Sequence, residues 1–197
     1  MTKLVKIVIP DAGPINTLAA AGLLGLLLAP RNSELMVIQS VLNEILVRAP
    51  EFQEFLVKNS TRIKIISTSV CKDDAARILR GEQIGKGRGD LAIADFILNL
   101  IDESVGNVPA LVIFEDKKLG RLRELEQYSE NTHFITTAAY LRKLEIEGLI
   151  GSFAEVWDQV VQKNSSPDPA VDREPNPVEI DAPARSGSSI FRPWEVR

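Results

Sequence analysis

Short apolar runs alternate along this chain with stretches in which apolar residues recur every three to four positions. The runs fall at about residues 4–9, 34–38, 63–67, 110–114 and 133–136, and their β-branched or large apolar character reads as strands. Between and after them, residues 14–21, 39–48, 50–58, 73–80, 88–101, 117–127, 137–147 and 152–162 carry the helical spacing. Alternation of strand and helix predicts an α/β fold: a mainly parallel central sheet of four to five strands, flanked by helices on both faces.

Local chemistry supports several boundaries. Asp73 suits the opening of a helix, Thr137 suits an N-cap before Ala138 and Ala139, and Gly148 suits a helix end. Residues 81–89, Gly-Glu-Gln-Ile-Gly-Lys-Gly-Arg-Gly, read as a glycine-rich, basic, mobile loop leading into Asp90. Past Lys163 the composition shifts to Ser, Pro and acidic residues and ends on the apolar group Ile190-Phe191-Arg192-Pro193-Trp194. The predicted organisation is therefore an α/β domain over 1–163 and a tail over 164–197, either a disordered linker or a docking segment that uses Phe191 and Trp194.

With 197 residues and 45% apolar content, the chain suits one domain with a sizeable core plus an appendage. The longest apolar stretch, 18–29, is interrupted by Gly22 and Gly25 and falls short of the ~20 residues that span a bilayer. No continuous apolar signal core follows Lys3 and Lys6, so the expected location is the cytoplasm, away from membranes. One cysteine, Cys71, and one histidine, His133, supply neither a disulfide nor a zinc ligand set, and both read as structural. Any metal must be held by oxygen.

Four acids stand where the chain leaves or enters regular structure. Asp11 follows the run 4–9 and precedes Ala12-Gly13-Pro14, so a buried strand delivers a carboxylate to a turn that opens a helix. Asp116 repeats the arrangement after Leu111-Val112-Ile113-Phe114, while Glu44 and Asp90 lie on predicted helices. Each alone also fits a helix cap or a solvated helix position. Open α/β sheets, however, place ligands beyond the carboxyl ends of their strands, where carboxylates from distant segments meet. Two unit charges 4 Å apart repel by about 4 kcal/mol at an effective dielectric of 20, so such a cluster calls for a hard cation. Asn16, one turn into the first helix, suits orienting the Asp11 carboxylate or a metal-bound water, although a solvated helix asparagine is the commoner explanation. Asp95 is a reserve acid, but five residues at ~100° set it about 140° round the helix from Asp90. Glu115 is the reserve for Asp116, its neighbour at a strand end.

The order of these segments resembles PIN-domain ribonucleases, in the toxin branch of type II toxin–antitoxin systems. Val8-Ile9-Pro10-Asp11-Ala12-Gly13-Pro14-Ile15 is similar to that family's opening motif, and Ser40-Val41-Leu42-Asn43-Glu44-Ile45 to its second. Gly87-Arg88-Gly89-Asp90-Leu91-Ala92-Ile93-Ala94 resembles the third, Ile113-Phe114-Glu115-Asp116-Lys117 the fourth, and 136–149 the closing strand and helix. The resemblance spans about residues 5–161 and implies a three-layer PIN-like sandwich. It further implies that Asp11, Glu44, Asp90 and Asp116 are catalytic and ligate one or two Mg²⁺ or Mn²⁺ ions, which activate water for attack on an RNA phosphodiester. A small antitoxin protein is the implied partner, and the family often forms homodimers. Arg88 departs from the pattern, since some members carry a second acid there.

Lys86, Arg88, Lys117, Lys118 and Arg121 cluster around the third and fourth acids, where they suit either phosphate contacts or a solvated charged face. The overall charge of −4, with 19 basic and 21 acidic residues up to Lys163, argues against a broad electrostatic grip on nucleic acid. A bound divalent cation would reverse the field locally. Two other readings stand beside the nuclease. One is a catalytically silent PIN-like binding module that recruits a partner through its tail. The other is a Mg-dependent phosphohydrolase using Asp11 as nucleophile, which fares worse because Gly13 stands where that chemistry usually wants a second Asp.

Overall fold

In a computed structural model of the chain, the structure describes residues 5–9, 12–84, 88–100, 103, 106, 108–115 and 132–163. Five strands, β1 (Val5–Ile9), β2 (Ser33–Ile38), β3 (Ile63–Ile66), β4 (Ala110–Phe114) and β5 (Thr132–Thr136), form one all-parallel sheet in the order β3-β2-β1-β4-β5. Every residue of β4 is buried, as is nearly all of β2. Because successive side chains point to opposite faces, burial of consecutive residues requires cover on both sides. Helices provide it in a three-layer α/β arrangement, as the alternating pattern predicts.

The helices among the described residues are α1 (Gly13–Ala20), α2 (Gln39–Arg48), α3 (Glu51–Lys58), α4 (Ser69–Leu79), α5 (Arg88–Asp95), α6 (Thr137–Ile146) and α7 (Phe153–Lys163). Strand bounds agree with the sequence reading to within a residue or so. The helices show larger differences. Asp73 does not open its helix: α4 begins at Ser69, because the Thr68 side chain accepts a hydrogen bond from Cys71 N. Likewise the cap of α6 is Thr136, whose Oγ1 accepts from Ala139 N at 3.1 Å, and Thr137 is thereby left for another task. The helix expected over 88–101 changes at Phe96 into a π-helical turn, Phe96–Leu100. A 3₁₀ helix, Leu24–Leu28, lies within the apolar stretch where periodicity marks no element. The expected helix at 117–127, residues 85–87 of the glycine-rich segment and the whole 164–197 tail lie outside the described residues.

Gly148, at φ 67°, ends α6 as expected, with its N–H donating to Glu145 O and Leu149 N–H reaching back to Leu144 O. The core gathers Ile7, Leu35, Val37, Leu111 and Ile113 from the sheet with Ile15, Leu18, Phe52, Phe96 and Tyr140 from the helices. Two polar side chains anchor the 24–33 connection to this core. Tyr140 donates its hydroxyl to Leu26 O at 2.8 Å, and burial holds its phenol far above the ordinary range, so it stays a donor. Arg62 Nη2 donates to Leu28 O, Pro30 O and Ser33 Oγ, and its Nε donates to Ser33 O. No helix among the described residues is long and apolar enough to cross a membrane.

Candidate functional site

The strand order fixes where a ligand would sit. From β1 the chain steps outward to β2 and β3, then returns to the other side of β1 to lay down β4 and β5. The order therefore reverses between β1 and β4, which pair in parallel with Val8 opposite Val112. A doubly wound sheet opens its crevice at this point, beyond the carboxyl ends of the two strands. Asp11 and Asp116 each follow one of these two strands by two residues, and both lie outside the described residues.

Glu115, the residue that follows β4, is the described acid at the crevice. It is buried, with 8% of its surface exposed, and both carboxylate oxygens are engaged. Thr17 Oγ1 of α1 donates to Oε2 at 3.0 Å, and Thr137 Oγ1, the first residue of α6, donates to Oε1 at 2.7 Å. Both threonines are themselves buried, so their hydroxyls stand in for water at the carboxylate. Sequence reading held Glu115 as a reserve and did not identify Thr17 or Thr137 as its partners. The only signal for them is position, since Thr137 opens a helix and Thr17 lies early in another, each after a strand.

Two further side-chain oxygens, in helices that follow β1 and β2, lack partners. Asn16 Oδ1 in α1 and Ser40 Oγ in the first turn of α2 are buried and make no hydrogen bond. Buried polar oxygens of this kind are rare, and side-chain oxygen is the ligand type that suits a hard cation. Asn16 and Ser40 offer oxygen only, the donor chemistry that a Mg²⁺- or Mn²⁺-like ion takes. Among the described residues no three His, Cys, Asp or Glu side chains group as a ligand set.

The other predicted site residues divide as follows. Glu44 lies on α2 with its side chain half exposed and pairs weakly with Arg48 at 3.6 Å. Asp90 belongs to α5, and α2 packs against both α1 and α5, so the helices that follow Asp11 and carry Glu44 and Asp90 are neighbours. Asp95 is committed elsewhere. Its Oδ2 accepts from Ser69 N at 3.0 Å, Ser69 Oγ at 2.6 Å and Val70 N at 3.4 Å, and Asn99 donates to Oδ1. The Ser69 hydroxyl first, then Asn99, hold its carboxyl below the usual range. Arg88 meets Asp74 and Asp73, and the hydrogen bond it donates to Asp74 is foremost in raising its already high pKa. Lys86, Lys117, Lys118 and Arg121 lie outside the described residues. His133 sits on β5, where burial lowers its pKa to about 4 and keeps it neutral near pH 7.

No protein-family model, curated protein or solved structure matches this chain.

Proposed function

We propose that this protein is a divalent-metal-dependent endoribonuclease of the PIN-like type, silenced by a small antitoxin protein. The observation that carries the reading is a set of buried side-chain oxygens on segments that follow β1, β2 and β4. They are the carboxylate of Glu115 and the orphaned oxygens Asn16 Oδ1 and Ser40 Oγ. In this reading Asp11, Glu44, Asp90 and Asp116 complete the ligand set. A divalent ion supplies an acidic water and a counter-charge for phosphate oxygens when bound. The chain's own part is to hold these oxygens in place. Glu115, tied to Thr17 of α1 and Thr137 of α6, joins both helices to the end of β4 and adds negative charge that attracts the ion.

Incubation of the purified chain with structured and unstructured RNA in Mn²⁺, beside Asp11→Asn, tests the proposal. Cleavage by the wild type that is lost in the variant is expected. Equal cleavage by both points to a contaminant and removes the enzymatic reading.

The silent-module reading draws on one observation, the exposed Glu44 with its Arg48 partner, which is how an ordinary surface helix acid behaves. A silent module binds no Mn²⁺, so a titration with that ion separates the two.

A further inference from the structure

A charged network joins α4 to α5. Arg88, the first residue of α5, donates from Nε to Asp74 Oδ1 and from Nη2 to Asp73 Oδ2, each at 2.6 Å, and Nη2 reaches Val70 O at 3.4 Å. Asp95, two turns along, makes the opposite kind of contact, accepting from the Ser69 and Val70 N–H groups and the Ser69 hydroxyl at the start of α4. Seven residues at ~100° leave positions 88 and 95 within about 20° of each other. One edge of α5 therefore presents a cation and an anion to α4, about 10 Å apart along the axis. The apolar side of α5, through Ala92 and Ile93 and continued by Phe96 of the π-helical turn, is buried by contacts that carry little directional preference. Two directional clasps on one edge fix the roll of the helix, which apolar packing alone leaves loose.

Position 90 lies about 200° round α5 from position 88, on the edge away from α4. We propose that Arg88 and Asp95 are positioning residues that set the roll of α5 and so hold position 90 where Asp90 serves the metal site. The inference rests on the metal reading above. It also gives Arg88 a role other than meeting RNA phosphates.

Arg77 supplies the control. Its Nε donates to the same Asp73 oxygen at 2.9 Å, but the pair stays within α4 and holds nothing in α5. The experiment measures Mn²⁺ affinity of the full chain from the free-ion electron paramagnetic resonance signal, with circular dichroism reporting folding. Arg88→Ala is expected to weaken binding by about tenfold. Arg88→Lys should fall in between, because an ammonium cannot reproduce the planar fork. Arg77→Ala should bind as the wild type does. Asp95→Asn, which loses the charge but keeps a carbonyl acceptor, is the milder variant should Arg88→Ala not fold, and it too should bind Mn²⁺ more weakly. If Asp90→Asn loses the ion while Arg88→Ala and Asp95→Asn keep wild-type affinity, the clasp is overturned and the metal site stands. An equal loss in Arg77→Ala also overturns it, by showing a general effect of α4. Absence of wild-type binding overturns the metal reading and the clasp's role together.

Discussion

The Thr137 hydroxyl donates to Glu115 Oε1 at 2.7 Å, and joins the start of α6 to the end of β4. With Thr17 at the other oxygen, one buried carboxylate ties the crossover after β1 to those that follow β4 and β5. Removing either hydroxyl leaves the charge with fewer donors in a place water does not reach. Thr137→Val and Thr17→Val are each expected to cost about 1–3 kcal/mol in urea unfolding, with coupling in the double variant because both serve one acceptor. Losses under about 0.5 kcal/mol with additive behaviour would contradict this account of Glu115.

His133 sets a pH dependence. Its folded pKa of about 4 lies below the unfolded value near 6.5, so the unfolded chain takes up the proton first as pH falls. Stability should be fully present above about pH 6.5 and decline towards pH 4. The size, discounted for partial solvent access, is about 1–2 kcal/mol. Unfolding of His133→Gln across that window should lack this component, and an unchanged slope would show that His133 titrates normally.

Arg48 is the only cation within salt-bridge distance of Glu44 among the described residues. The contact is long and exposed, so Arg48→Ala should move the unfolding midpoint little. If Glu44 is a ligand, the same change frees it and should tighten Mn²⁺ binding by about twofold to fivefold, measured by calorimetry. Weaker binding in that variant would place Glu44 outside the site.

Arg62 closes four hydrogen bonds around the connection into β2. A lysine keeps the charge but cannot span carbonyls of Leu28, Pro30 and Ser33 at once, so Arg62→Lys is expected to cost about 1–3 kcal/mol in the same unfolding measurement. A cost indistinguishable from zero would mean that the connection is held by its leucines alone.

The sheet was legible in the sequence because its strands are buried on both faces. Ala110–Phe114 is apolar without interruption, and all five residues are inside. Helix starts were less legible. Thr68 and Thr136 win the capping positions from Asp73 and Thr137 through geometry one to five residues away, which periodicity does not resolve. The Leu24–Leu28 turn escaped because an unbroken apolar stretch has no period to read.

Glu115, which follows β4, was legible as an acid after a strand, but its partners were not. Thr17 lies 98 residues before Glu115 and Thr137 lies 22 after, and only the β1-β4-β5 order brings them together. Asp95 shows the reverse limit. Helical geometry separated it from Asp90, yet nothing in the local sequence announces Ser69 as its partner 26 residues earlier.

The most direct test is a calorimetric titration of the full chain with Mn²⁺, run beside a variant carrying both Asp11→Asn and Asp116→Asn. Saturable heat in the wild type that disappears in the double variant is the predicted result. A wild-type chain that takes up no ion, or a double variant that binds it equally well, would contradict a metal centre between β1 and β4.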